Sequence, residues 1–129
     1  MSFKYKKIMI IDDDAIDNYL VKVLINTNNI AETTLEFDNG EKALEYLVSN
    51  KNNPDNLPEI ILLDIYMPRM NGLEFIEKLD EMQLECGKKC KICVVSSSID
   101  DNDILRTKLN SNVFKFTTKP ITPEFLSSL

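Results

Sequence analysis

Apolar positions along this chain follow two rhythms that alternate from one end to the other. Lys7 to Ile11 is a short apolar run that stops at acid, which suits a strand buried on both faces. Ile16, Tyr19, Leu20, Val23 and Leu24 then recur at spacings of three and four, a helical stripe. Thr33 to Phe37 alternates like a strand, and Asp38-Asn39-Gly40 supplies turn chemistry before a helix carrying Ala43, Leu44, Leu47 and Val48. The polar stretch SNKNNPDNLPE reads as solvated connection. Glu59 to Leu63 is a second strongly apolar strand, again closed by an aspartate, Asp64. Beyond Met67-Pro68 and Asn71-Gly72, the residues Leu73, Ile76, Leu79 and Met82 mark a further helix. Lys91 to Val95 is a strand ending in Ser96-Ser97-Ser98, and Ile104, Leu105, Lys108 and Leu109 outline another helix. Val113 to Phe116 is a last short strand before Thr118-Lys119-Pro120, with a helix starting after Pro123.

Strands alternating with helices predict an α/β layer structure, a doubly wound, flavodoxin-like five-stranded parallel sheet with helices on both faces. The first and third strands are the most apolar and therefore belong at the centre, which the strand order 2-1-3-4-5 achieves. That order puts the topological switch point between them, at the carboxyl ends of the strands. No linker or long-period repeat divides the chain, so residues 1–129 are expected to form a single domain. The residues after Pro123 begin a helix that the sequence stops almost at once, which suggests a trimmed chain or a piece of a longer protein.

Composition narrows the function classes. A net charge of −6 argues against direct nucleic-acid binding, because phosphate backbones attract clustered Lys and Arg. A protein partner or a metal ion fits better. The basic start, MSFKYKK, is followed by an apolar run that stops at Ile11, too short for a signal peptide, and no stretch reaches membrane-spanning length. A cytoplasmic location is expected. The absence of histidine removes Ser-His-Asp and Cys-His catalysis and His-ligated metal sites. Cys86, Cys90 and Cys93 have the spacing of an iron-sulfur motif, but Cys93 lies inside the apolar run KICVVSS, so they are read as small apolar thiols.

Parallel strands finish at one edge, so the residues that close them meet there. Asp12, Asp13 and Asp14 close the first strand, Asp64 the third, Ser96 to Ser98 the fourth, and Lys119 follows the fifth. Two carboxylates ~4 Å apart repel by about 4 kcal/mol at an effective dielectric of ~20, a large share of a small domain's stability. Such a rim calls for cations. Lys119 supplies one charge, and a hard divalent ion with oxygen ligands, Mg²⁺, supplies two. Asp14, directly before a helical stripe, is read as that helix's N-cap.

The stretches IMIIDDDAIDNYL, ILLDIYMPRMNGLEF, VVSSS and FKFTTKP together resemble the receiver domain of bacterial two-component response regulators over nearly the whole chain. The resemblance implies that Asp64 is the phosphoacceptor, with Asp12, Asp13 and the main-chain carbonyl of Tyr66 completing the protein ligands to Mg²⁺. It makes Ser96 the switch hydroxyl, Lys119 the charge-neutralising lysine and Phe116 the aromatic that reorients, and it implies a cis Lys119-Pro120 bond. Asn112 stands where the family usually has glycine, and the register among Ser96, Ser97 and Ser98 allows a slip of one. The implied partners are a sensor histidine kinase or phosphotransfer protein and a downstream protein target, and pairing of two receivers is compatible with it. No turnover of an external substrate is implied. The alternative is a Mg²⁺-dependent phosphohydrolase of the haloacid dehalogenase type with Asp12 as nucleophile, since Asp12 and Asp14 satisfy its D-x-D motif. Against it, Asp100 and Asp101 precede Lys119, the reverse of the order that enzyme requires.

Overall fold

The computed structural model describes residues 3–82, 90–97 and 113–129. Five parallel strands, β1 (Tyr5–Ile11), β2 (Ala31–Phe37), β3 (Ile60–Asp64), β4 (Lys91–Ser96) and β5 (Val113–Thr118), pair in the order β2-β1-β3-β4-β5. The helices are α1 (Ala15–Thr27), α2 (Gly40–Ser49), α3 (Gly72–Glu81) and a short C-terminal α4 (Pro123–Ser127). The expected order is therefore observed. The helix drawn through Ile104 to Leu109, together with Ser98, Cys86 and Asn112, lies outside the described residues.

Pleating explains why the central strands read as unbroken apolar runs. Side chains alternate between faces, so Met9 and Ile11 of β1 join Ile61, Leu63, Ile92 and Val94 in one core cluster, closed by Leu47 of α2 and Phe75 and Leu79 of α3. Ile8 and Ile10 point the other way, with Ile60, Leu62, Cys93 and Val95, beneath Val21 and Ile25 of α1 and Leu126 of α4. Both faces are covered. The sheet register pairs Ile8 with Ile60 and Ile11 with Leu63, which brings the ends of β1 and β3 level.

Local chemistry starts the helices where the chain leaves the sheet. Asp14 caps α1 by accepting the amides of Ile16 and Asp17, Asn39 caps α2 through the Lys42 amide, and Asn71 and Glu74 form a reciprocal capping box on α3. The N-cap reading of Asp14 holds.

The phase of α1 does not follow the stripe. Ile16, Tyr19, Leu20 and Val23 are exposed, Ile16 at 70% and Tyr19 at 65%, while Asn18, Val21 and Ile25 face the sheet. Both sets have helical spacing, so periodicity alone could not choose between them. Asn18 decides it: its Nδ2 donates to the Asp12 carbonyl at 2.8 Å, which fixes the rotation of the helix against the end of β1. At the far ends of α2 and α3, Val48 and Met82 are also exposed rather than part of the core. Among the described residues, no helix is long and apolar enough to cross a membrane. Cys90 and Cys93 are buried free thiols, and Cys93 sits in the middle of β4, where burial pushes its thiol up to about 12.

Candidate functional site

The carboxyl edge of the sheet gathers acid from two adjacent strands. At the end of β1, Asp12 is buried, its amide bonded to the Phe37 carbonyl of β2 at 3.1 Å and its Oδ1 accepting the Asp14 amide at 2.9 Å. Asp13 beside it is exposed. At the end of β3, Asp64 keeps 5% exposure, and its Oδ1 accepts the Tyr66 amide at 3.2 Å. The loop after Asp64 is pinned at two points: the Ile65 amide donates to the Val95 carbonyl at 3.2 Å, and the Gly72 amide donates to the Ile65 carbonyl at 2.8 Å. Between them Arg69 takes a left-handed conformation, φ 67°, to turn the chain back into α3.

From the other side, among the described residues, comes one cation, Lys119. The Lys119 amide donates to the Ser96 carbonyl at 2.8 Å, which ties the β5 end to β4, and the Lys119-Pro120 bond is cis, as the resemblance implied. The Lys119 Nζ then reaches Asp12 Oδ2 at 2.7 Å, Asp17 Oδ2 at 2.8 Å and Asp64 Oδ2 at 3.4 Å. Asp38, the charged residue that closes β2, stays out of this group and pairs with Lys42 on the surface at 3.7 Å.

Charge in the site is unbalanced. Burial raises the Asp64 carboxyl to about 6, and the neighbouring Asp12 pushes the same way, against the pull of Lys119 and the Tyr66 amide. For Lys119, burial works to lower the value, but the hydrogen bonds to Asp12 and Asp17 and the charge of Asp64 more than reverse it, so the ammonium is held above the ordinary lysine range. Among the described residues, the Lys119 ammonium contacts three carboxylates, those of Asp12, Asp17 and Asp64, and Asp13 adds a fourth beside Asp12 and Asp64.

Carboxylate oxygens of Asp12, Asp13 and Asp64 lie within 4.8 Å of one another. This is an all-oxygen, anionic donor set, which suits a hard divalent cation such as Mg²⁺ and offers nothing to a soft one. The residues present thus fit the ion that the sequence called for. Beside them opens a cavity of about 580 Å³, lined by Asp12, Asp17, Asp64 and Lys119 together with the apolar Leu20, Leu24, Leu62, Val95 and Ile121. Asp64, though 5% exposed, borders this cavity.

Ser96 and Phe116 belong to neighbouring strands in register, with Val94 opposite Phe116 and Ser96 opposite Thr118, so both project from the same face of the sheet. Ser96 is fully buried, and Phe116 is half-buried against the cluster around Val94. Tyr66 has an exposed side chain, and its amide, rather than its ring, attends Asp64. The structure thus brings together Asp12, Asp13, Asp64 and Lys119, with Ser96 one strand away. Two participants escaped the sequence reading: Asp17, which takes a bond from Lys119, and Asn18, which anchors the Asp12 carbonyl. A signal for Asp17 was present, since an acid three residues after an N-cap sits in the first helical turn, next to the same sheet edge.

The response regulator receiver domain model matches residues 8–129. A sensor histidine kinase, CheAY of Helicobacter pylori, is 30% identical over 122 residues, covering 95% of this chain and 14% of that protein. The nitrate/nitrite response regulator NarL of Escherichia coli is 34% identical over 119 residues, covering 92% of this chain and 50% of that one. The chain thus spans half or less of each of these relatives. A two-component response regulator structure from Cytophaga hutchinsonii superimposes with a TM-score of 0.88 at 28% identity, over 95% of this chain and 92% of that one. A response regulator receiver protein from Dyadobacter fermentans shares the fold at a TM-score of 0.82 and 24% identity, covering 96% and 94%. The haloacid dehalogenase alternative finds no support in these likenesses. With strand order, acidic edge and family model in agreement, the chain belongs to the receiver domain family of two-component response regulators.

Proposed function

We propose that this chain is the phosphoacceptor of a phosphorelay, taking a phosphoryl group onto Asp64 from a phosphohistidine of a sensor kinase or phosphotransfer protein. The observation that carries the reading is the convergence of Asp12, Asp13, Asp64 and Lys119 beside a cavity that reaches Asp64. Lys119 and the Tyr66 amide both favour the ionised form of Asp64, which needs no base to activate it at neutral pH. An Asp64 oxygen attacks phosphorus in line. The phosphorus–nitrogen bond breaks, its electron pair stays on the imidazole, and an acyl phosphate remains on Asp64.

Asp12, Asp13, Asp64 and the Tyr66 main-chain carbonyl would hold Mg²⁺, which supplies neutralising charge for the transferred phosphoryl oxygens. Lys119 adds the second cation. The acyl phosphate carries roughly two negative charges, and Ser96 can donate its hydroxyl to it. Movement of Ser96 toward the phosphoryl group frees space on the shared face for Phe116 to turn inward, which reshapes the surface around β4 and β5. Driving such a switch from mostly off to mostly on takes about 5.5 kcal/mol, within reach of a few charge-assisted hydrogen bonds of ~1.5 to 3 kcal/mol each. The reshaped surface is what a downstream protein target would read.

A donor that delivers phosphohistidine to Asp64 must cover the rim around it. The exposed apolar face of α1, Ile16, Tyr19, Leu20 and Val23, adjoins that rim, Leu20 and Val23 lining the same cavity as Asp64. This face suits the protein donor. The chain processes no external substrate; it catalyses only the gain and loss of its own phosphoryl group. The test is intact-protein mass spectrometry after incubation with acetyl phosphate. A single phosphoryl gain that needs Mg²⁺ and disappears in Asp64→Asn is expected; labelling that survives that substitution rejects the reading.

A further inference from the structure

We propose that Asp17 is a positioning residue that occupies part of the donor capacity of the Lys119 ammonium and competes with the phosphoryl group for it. This inference rests on the receiver reading of the same site. An ammonium has three N–H donors, and the three acceptors around Lys119 are Asp12 at 2.7 Å, Asp17 at 2.8 Å and Asp64 at 3.4 Å. Donor capacity is therefore fully committed before any phosphoryl group arrives. Asp64, the residue that gains charge on phosphorylation, has the longest of the three bonds.

A phosphoryl group on Asp64 can recruit Lys119 only if an existing bond loosens. Asp12 is a poor candidate to let go, because its side chain is 8% exposed and its other oxygen is held by the Asp14 amide. Asp17 is different. Its side chain is 35% exposed, so water can replace the ammonium at little cost, and it is not among the three carboxylates grouped for a metal. Its place is fixed by α1, whose N-cap Asp14 accepts the Asp17 amide at 3.2 Å, so its carboxylate is presented to Lys119 by the helix start. Asp17 thus serves as the resting partner of Lys119, and its affinity for the ammonium subtracts from what the phosphoryl group can gain.

The test compares acetyl phosphate labelling of the wild type, Asp17→Asn, Asp17→Glu, Lys119→Ala and the Asp17→Asn/Lys119→Ala pair, with far-UV circular dichroism as a check of folding. Asp17→Asn should raise the labelling rate and the phosphorylated fraction roughly two- to five-fold, the range of a partly exposed ion pair. Asp17→Glu should return both toward wild type. In the Lys119→Ala background the gain should vanish, because competition for the ammonium no longer exists. A gain that persists without Lys119 means simple charge repulsion and overturns the proposal, as does unchanged or slower labelling of Asp17→Asn. Absence of labelling in the wild type itself would instead reject the receiver reading on which the inference stands.

Discussion

A methyl group on Gly72 would lie 2.7 Å from the Asp64 carbonyl oxygen and 2.8 Å from the Ile65 α-carbon, closer than real side chains approach backbone. The start of α3 thus packs directly on the loop that aims Asp64. Gly72→Ala should force that loop to move, cost about 1–3 kcal/mol of stability and slow phosphoryl labelling of Asp64. Urea denaturation together with acetyl phosphate kinetics would measure both effects. Gly40 offers a contrast, because there the nearest atom is the flexible Met70 sulfur at 3.0 Å. Gly40→Ala should be the milder change in both measurements.

Asp64 carries a pH signature. Its value of about 6 in the fold lies above the ordinary 3.8, so the fold favours the protonated form. The stabilisation linked to that proton is complete below about pH 4 and is lost as pH rises through about 6. Without divalent ions, Asp64→Asn should therefore be more stable than the wild type by about 1–2 kcal/mol at pH 7.5, and the difference should shrink toward pH 4. Added Mg²⁺ should stabilise the wild type and do little for the variant. Chemical denaturation at both pH values, with chelator or Mg²⁺, would show it.

Much of this was readable from the chain because the central strands leave no choice. Runs such as Ile8 to Ile11 and Ile60 to Leu63 are apolar at both parities and too short for a buried helix, which suits a strand covered on two faces, and an acid closing each reaches the carboxyl edge. Helix phase was less legible. Asn18 looks like a solvent residue in sequence, yet it turns inward to bond the Asp12 carbonyl and carries Ile16 and Tyr19 out to the surface. The role of Asp17 follows from that rotation and from the reach of Lys119, a contact between residues 102 positions apart that periodicity cannot supply.

The exposed face of α1 should matter to a protein donor and not to a small one. Ile16→Ser and Tyr19→Ala remove well-exposed apolar groups and should change stability by no more than about 0.5 kcal/mol. Phosphoryl transfer from a cognate phosphohistidine protein should slow by about ten-fold. Labelling by acetyl phosphate should stay at the wild-type rate. Equal slowing with both donors would place the effect in the site rather than in docking.

Cys93 provides a check on the sheet interior. Fully buried in β4, with its thiol pushed up to about 12, it should resist alkylation at pH 8 in the native protein and react once the fold is lost. Peptide mapping after iodoacetamide treatment across a urea series should give a Cys93 modification curve that coincides with unfolding. Ready modification without urea would contradict the placement of this strand.

The geometry of the acidic edge predicts that Asp64, and no neighbouring carboxylate, supplies the oxygen that attacks phosphorus. Borohydride reduction of the acetyl-phosphate-treated protein, followed by peptide sequencing, reads this directly, because reduction converts a phosphorylated aspartate to homoserine. Homoserine at position 64 alone, formed only when Mg²⁺ was present, is the predicted result. Homoserine at position 12, 13 or 17, or none anywhere, would contradict it.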